Sequence, residues 1–135
     1  MNKNFIPTPQ DEAMRLEASI TKTANFAGTA FDQGIGFAPG GVGMPAVAVV
    51  NVTAADRAST DETYSFVLQE SNDNASWNDC GAAQTVDVAG SAATLGAISV
   101  AGMISKRYVR VGLTVGGTTP SITYEAWLNT NACPT

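Results

Sequence analysis

The 135-residue sequence contains no histidine and only two cysteines. Without histidine, the triads and dyads in which an imidazole activates a serine or cysteine nucleophile are excluded, and so is any metal site with imidazole ligands. Two cysteines cannot by themselves supply the four ligands of a structural zinc site. We therefore expect no catalytic residues, no metal and no cofactor, and we predict that the protein is not an enzyme.

Charged residues are also scarce, at 14% of the sequence, against about 25% in typical soluble domains. Seven lysines and arginines stand against twelve aspartates and glutamates, which gives a net charge of −5. Because nucleic-acid phosphates and anionic membranes are bound mainly through cations, this balance argues against both as partners. A surface with so little charge is typical of β-proteins that bury much of their area against other proteins.

Long hydrophobic runs are missing too. The longest, Val42–Val50 and Ala92–Ile104, are broken by Pro45 or diluted by glycine and serine, and neither reaches the roughly 20 residues of a membrane span. The first residues, MNKNFIPTPQDE, lack the apolar stretch of a secretory signal. We expect synthesis in a reducing cytoplasm with Cys80 and Cys133 as free thiols, while a disulfide stays open for a particle that matures outside the cell.

Residues 1–18 differ in composition from the rest of the chain, and we predict an N-terminal arm in front of a single domain over residues 19–135. Two prolines keep the first part of this arm extended. The helical composition after these prolines is too short for an independent helix. Two interpretations are open: the arm is loosely ordered, or it docks on a neighbouring subunit with Phe5 and Ile6 as anchors.

From Ser19 onward the hydrophobic pattern has the period of two that is typical of β-strands. In the clearest internal strand, Tyr64, Phe66 and Leu68 alternate with a second set that would face the other way. Short strands, turns rich in glycine and proline, and the lack of a long helical period predict an all-β fold. We expect a single-domain β-sandwich or jelly roll.

The strongest pattern lies near the end of the chain, where two alternating segments flank a loop at 116–120. We predict that they pair as a β-hairpin. A tight register with both apolar sets on one face would place Arg110 opposite Glu125 and Tyr108 opposite Trp127 on the other face. We predict that these four residues form an oligomer interface, although burial of the two rings by the same chain is an equally open interpretation.

Two loops hold the other candidate sites. The glycine-rich stretch GIGFAPGGVG at 34–43 lacks the lysine of a phosphate-binding loop and is predicted to be a plain connection. SNDNAS at 71–76 offers oxygen donors for Ca²⁺ without the spacing of an EF-hand, so an Asx-rich turn is predicted instead. Phe37 and Trp77, in or beside these loops, are predicted to contact a partner, and the scattered carboxylates are predicted to be solvated.

Three segments together carry a resemblance to a known family: TAFDQG (29–34), YSFVLQESNDNASW (64–77) and RYVRVGLTVGGTTPSITYEAWL (107–128). Their order resembles that of the small jelly-roll cement, or decoration, proteins of tailed-bacteriophage capsids. Those proteins have an early Asp-containing segment that ends in Gly, a central strand that runs into a turn, and a late Arg-Tyr-hydrophobic-Arg strand. The matching positions here are Asp32 and Gly34, then Val67–Asn74, then Arg107–Arg110.

The resemblance implies a structural protein of the virion, made in the host cytoplasm. Homotrimers would sit on the outer surface of the icosahedral head and stabilise contacts between capsomers of the major capsid protein. The four predicted interface residues would then join sister subunits. The predicted capsid-contacting residues are Phe5, Ile6, Phe37 and Trp77.

A second hypothesis, from a different class, is a carbohydrate-binding β-sandwich that recognises a receptor on the host surface. It rests on three aromatic residues, Trp77, Trp127 and Tyr64, whose rings could stack on sugar rings. An accessible row of these rings would favour this hypothesis over the capsid role.

Overall fold

The computed structural model describes residues 15–34, 44–56, 61–86 and 97–129. These residues form nine β-strands and no helix, which confirms the predicted all-β fold. The strands are β1 (Arg15–Lys22), β2 (Phe31–Asp32), β3 (Met44–Ala55), β4 (Thr63–Ser71), β5 (Asn78–Asp79), β6 (Gln84–Thr85), β7 (Ala97–Ile104), β8 (Tyr108–Gly116) and β9 (Ile122–Asn129).

The strands make two antiparallel sheets that pack against each other as a sandwich. The first sheet has the order β1-β9-β3-β7 and the second has the order β2-β8-β4-β5, with β6 also paired to β4. The pairs are nested along the chain, since β1 pairs with β9, β2 with β8, β3 with β7 and β4 with β5. This is a long hairpin rolled up so that its legs alternate between two sheets, which is the jelly-roll arrangement.

The core lies between the sheets and is built from alternate residues of each strand. In β4, Tyr64, Phe66 and Leu68 are fully buried, as their spacing predicts. The Phe66 ring meets the edge of Tyr124 from the opposite sheet, with 4.9 Å between ring centroids. The buried cluster consists of Leu16, Ala46, Ala48, Val50, Val52, Tyr64, Phe66, Leu68, Val86, Val100, Ile104, Val109, Val111, Leu113, Ile122, Tyr124, Ala126 and Leu128.

The predicted hairpin between the last two strands is wrong. β8 pairs with β4 and β2, whereas β9 pairs with β1 and β3, so the two strands lie in different sheets. Alternation predicts which side chains point inward, and both strands do send their apolar sets into one core, but from opposite sides. The loop between them crosses the end of the sandwich, where the Tyr64 hydroxyl accepts a hydrogen bond from the N–H of Ser121 at 3.0 Å.

The predicted cross-strand pairs fail with the hairpin. Tyr108 and Arg110 lie on the outer face of the second sheet, and Glu125 and Trp127 lie on the outer face of the first. The residues actually opposite them are Ser71 and Asp32 for Tyr108, Gln69 for Arg110, Asn51 for Glu125, and Val49 and Arg15 for Trp127.

The described part of the chain starts inside the predicted arm of residues 1–18. β1 begins at Arg15 and pairs with β9, and Leu16 is already buried in the core. The predicted contact residues Phe5, Ile6 and Phe37 lie outside the described residues, as does Cys133.

Candidate functional site on the outer face of the second sheet

On the outer face of the first sheet, Trp127 is buried by its own chain. Only 6% of its surface is exposed, and Val49 beside it is 8% exposed. The Arg15 guanidinium lies over the ring, 5.3 Å from its centroid. Glu125, two residues earlier in β9, accepts a hydrogen bond from the Asn51 amide at 3.3 Å. The sequence analysis predicted that Trp127 and Tyr108 form one aromatic patch, and this patch does not form because the two rings lie on different sheets. The interface role of each residue stays a prediction.

The outer face of the second sheet brings two predicted site residues together. The Arg110 guanidinium lies over the ring of Trp77, 4.1 Å from its centroid. Its Nε donates to Oε1 of Gln69 at 2.8 Å. Nε2 of Gln69 in turn donates to Oδ1 of Asp79 at 2.9 Å. Strands β8, β4 and β5 are neighbours in the sheet and hold this Arg110 cluster, made of Arg110, Trp77, Gln69 and Asp79, in place.

The charge of Arg110 is only partly satisfied within the cluster. No acceptor in the described ranges lies within hydrogen-bond distance of its terminal nitrogens, Nη1 and Nη2, and no ion pair there includes it. Burial lowers the pKa of Arg110, because the partly desolvated charge has no carboxylate beside it to offset the lost hydration. The cluster therefore holds a cation that is oriented but still able to bind an anion.

A groove of about 370 Å³ opens beside the cluster, and we call it the Arg110 groove. Phe26 forms part of it because the segment before β2 lies along β8, where Phe26 and Leu113 exchange two backbone hydrogen bonds of 2.9 and 2.8 Å. The Lys22 ammonium lies over the Phe26 ring, 3.7 Å from its centroid. The lining residues, all in the described ranges, include no carboxylate: Asn25, Phe26, Ala27, Val67, Gln69, Arg110, Gly112, Leu113 and Thr114.

An ion pair between Asp32 and Arg107 lies at one edge of the same sheet. Arg107 donates through Nε and Nη2 to the two carboxylate oxygens, at 2.7 and 2.8 Å. The Gly34 N–H donates to the same carboxylate at 2.8 Å. The Arg107 bonds and the Gly34 bond hold the pKa of Asp32 at about 2, and the pKa of Arg107 is raised in return. Because both side chains are well exposed, the pair orients β2 against β8 more than it stabilises the fold.

We expect this ion pair to appear in the acid dependence of stability. Folding lowers the pKa of Asp32 from 3.8 to about 2. The ionised carboxylate therefore stabilises the fold above about pH 4, and its contribution is lost as the pH falls towards about 2. In Asp32→Asn, the free energy of unfolding should fall less steeply than in the wild type across that window, as measured by urea unfolding at each pH.

The matched control for this prediction is Arg107→Gln, which removes the partner and leaves the carboxylate. The pKa of its Asp32 carboxyl, as read by NMR, should rise from about 2 towards the ordinary value of 3.8 and stay somewhat below it, because the Gly34 hydrogen bond remains. A wild-type Asp32 that already titrates there would show that the ion pair does not form in solution.

The predicted Asx-rich turn at 71–76 is confirmed. Oδ1 of Asp73 accepts hydrogen bonds from two backbone N–H groups further along the turn, at 2.9 Å each. The Ser71 hydroxyl donates to the same oxygen at 2.9 Å. These bonds hold the pKa of Asp73 at about 2, and Asn74 adopts a left-handed φ of 60°. The carboxylate stabilises the turn that carries Trp77 to the Arg110 cluster.

Glu70, one of the carboxylates predicted to be solvated, is instead buried in the fold. Glu70, 8% exposed, accepts a hydrogen bond from the Ser105 N–H at 2.7 Å and joins β4 to the turn after β7. Cys80 is a free thiol whose pKa burial raises to about 12, so it is a weak nucleophile near neutral pH.

No group of three acidic or cysteine side chains in the described ranges could hold a metal ion. Across the same ranges, no helix could span a membrane.

The sequence did not point to two contributors to the groove, Gln69 and Phe26. The alternation of β4 does place Gln69 on the outer face, but it does not say which side chain lies beside it. Phe26 reaches the groove because the chain before β2 lies alongside β8. No local pattern encodes that contact, since it joins positions far apart in the sequence.

Neither a protein-family model nor a curated protein matches the chain. The fold and the site define a jelly-roll β-sandwich with a cationic groove on the outer face of its second sheet.

Proposed function

We propose that the chain is a capsid cement protein of a tailed bacteriophage, with a structural role and no catalysis. It would bind the outer surface of the icosahedral head as a homotrimer and stabilise contacts between capsomers of the major capsid protein. One observation carries the proposal: β2 from the first segment, β4 from the second and β8 from the third, which hold the residues matched to this family, are neighbours in a single sheet.

Specific side-chain contacts join these three segments. Asp32 in the first segment forms its ion pair with Arg107 in the third. Gln69 and Trp77 in the second segment both contact Arg110 in the third. A chance likeness of strand patterns gives no reason for the quoted residues to contact one another. Their contacts favour reading the three segments as one structural motif.

A ring of subunits fits the placement of the predicted interface residues. Tyr108 lies on one outer face of the sandwich, and Glu125 lies on the other. Head-to-tail contacts use two different surfaces of each subunit and close into a ring when the rotation between subunits allows it. Trp127, which is buried in its own chain, contributes little to such contacts.

Trimeric attachment would make weak individual contacts sufficient. Three copies held together bind with a high effective concentration once the first copy is in place. Among the four predicted capsid-contacting residues, Trp77 lies in the described part of the chain, where it is half-buried beside the Arg110 groove.

The test is to add the purified protein to capsids of the phage that encodes it, prepared without the protein. We expect saturable co-sedimentation, density in a regular array by cryo-electron microscopy, and release of DNA at a higher temperature than from undecorated capsids. An unrelated β-sandwich of similar net charge serves as the control for non-specific binding. A folded protein that leaves the capsids bare would overturn the proposal.

We favour the capsid role over the carbohydrate hypothesis because of where the three aromatic rings lie. Tyr64 is fully buried in the core and Trp127 is 6% exposed, so neither ring can stack on a sugar. The remaining ring, Trp77, already has the Arg110 guanidinium over it. No described surface therefore presents the row of accessible rings on which that hypothesis depends.

A further inference from the structure

Arg110 has a fixed orientation and an unused pair of donors. Its Nε is held by Gln69 at 2.8 Å, and its plane lies over Trp77 at 4.1 Å. The two remaining nitrogens, Nη1 and Nη2, form the end-on fork of the guanidinium, and no acceptor in the described ranges binds them. A fork of this kind matches the two oxygens of a carboxylate and binds them with two parallel hydrogen bonds.

The surroundings of the groove also favour an anion. Arg110 is the one charged residue among those that line the groove in the described ranges. Asp79, the acidic residue of the Arg110 cluster, accepts a hydrogen bond from Gln69. The residues that line the groove include no carboxylate. A bound carboxylate would offset the desolvation of Arg110 in the folded protein.

The space in the groove suits a side chain with a short apolar stem. Gly112 has no side chain, and a Cβ added there would lie 3.2 Å from Oε1 of Gln69. The glycine therefore leaves space in the groove beside Gln69. Val67 and Phe26 supply apolar lining beside the polar groups. A methylene stem can pack against these residues while its carboxylate reaches Arg110.

We propose that the Arg110 groove binds an aspartate or glutamate side chain of a partner protein. Resting on the function proposed above, that partner is the major capsid protein, so Arg110 would contact the capsid and not the sister subunit predicted from the sequence. A protein acid is favoured over an acidic sugar because sugar recognition uses the face of an aromatic ring. The ring beside this groove, Trp77, carries the Arg110 guanidinium instead.

The first experiment measures the chemistry of the groove without any capsid. N-acetyl-glutamate methylamide is titrated into the full chain and followed by NMR at the side chains of Arg110 and Gln69. We expect saturation in roughly the millimolar range, with the neutral glutamine analogue at least about tenfold weaker. Arg110→Gln should abolish the response. Lys106→Gln, which makes the same charge change outside the groove, should retain it.

Two results of this titration would overturn the proposal. One is no saturable shift with the glutamate probe at about 50 mM. The other is binding of N-acetylneuraminic acid more tightly than the glutamate probe, which would assign the groove to acidic sugars. Arg110→Lys keeps the positive charge but loses the two parallel donors of the guanidinium. Its affinity for the glutamate probe should therefore lie between the affinities of the wild type and of Arg110→Gln.

The second experiment separates this proposal from the proposed function. Arg110→Glu should weaken capsid binding at least about tenfold, while Lys106→Glu should change it less than about twofold. Circular dichroism and thermal unfolding show that each variant is folded. If wild type and Arg110→Glu bind capsids equally, the docking inference fails and the capsid role stands. If the wild type does not bind capsids, the capsid role fails, and the glutamate titration still decides the ligand of the groove.

Discussion

Replacing Gly28 with alanine is expected to destabilise the protein by about 3–5 kcal/mol. Gly28 has φ 89°, which side-chain-bearing residues rarely adopt, and a Cβ there would run into the carbonyl oxygen of Val111 in β8. The segment cannot move aside, because the two backbone hydrogen bonds between Phe26 and Leu113 hold it along β8. Urea unfolding of wild type and variant at neutral pH measures the loss.

Gly34→Ala provides the matched control for this prediction. Gly34 has nearly the same backbone conformation, with φ 94°, but an added Cβ would meet no atom of the described residues within 4 Å. Its cost should be limited to backbone strain, about 1–2 kcal/mol. The difference between the two variants therefore measures the close packing of the 26–28 segment on β8. Equal losses would contradict that packing, and with it the Phe26 side of the Arg110 groove.

The second large effect is expected from Tyr64→Phe, with a loss of about 2–3 kcal/mol. The Tyr64 hydroxyl lies between the carbonyl oxygens of Asp56 and Ser121, at 2.9 and 3.0 Å, and donates to one or the other. It also accepts a hydrogen bond from the Ser121 N–H. Phenylalanine would leave this N–H without its acceptor and would remove the side-chain link between the β3–β4 connection and the β8–β9 loop, which the backbone bond from Asp56 to Ser121 alone would then join. Thermal and urea unfolding both report the change.

Tyr124→Phe removes a hydroxyl from an equally buried tyrosine and should cost less than about 0.5 kcal/mol or stabilise the protein. The Tyr124 hydroxyl has no hydrogen-bond partner in the described ranges. Burial raises the pKa of Tyr124, as expected for a phenol shut away from water. If both variants lost the same stability, the effect of Tyr64 would come from packing, and its role in joining the two connections would be wrong.

Several features of the fold could be predicted because they are local. The inward set of β4, with Tyr64 and Phe66, follows from the two-residue period of an extended backbone. The turn at 71–76 follows from the way Asp and Asn side chains bind nearby backbone N–H groups. The inward sets of the last two strands were also predicted correctly, since each depends on its own strand alone.

The candidate site could be predicted only in part. Trp77 and Arg110 were both recognised as surface residues of interest, but they were assigned to different surfaces, and Arg110 was paired with Glu125. A hairpin and a crossing between sheets present the same alternation, so the pattern could not separate them. The difference lies in contacts such as that of Arg110 with Gln69, which joins residues 41 positions apart.

By itself, the sequence determined that the protein is all-β, which side chains of its clearest strands face the core, and that imidazole chemistry has no part in its function. Only the tertiary structure decided that β8 and β9 belong to different sheets, that Trp127 is covered by its own chain, and that Arg110 meets Trp77 beside an open groove. The physical reason is the distance along the chain over which each feature is set. Side-chain alternation is set by the backbone within one strand, whereas strand pairing is set by the packing of all the strands around one core.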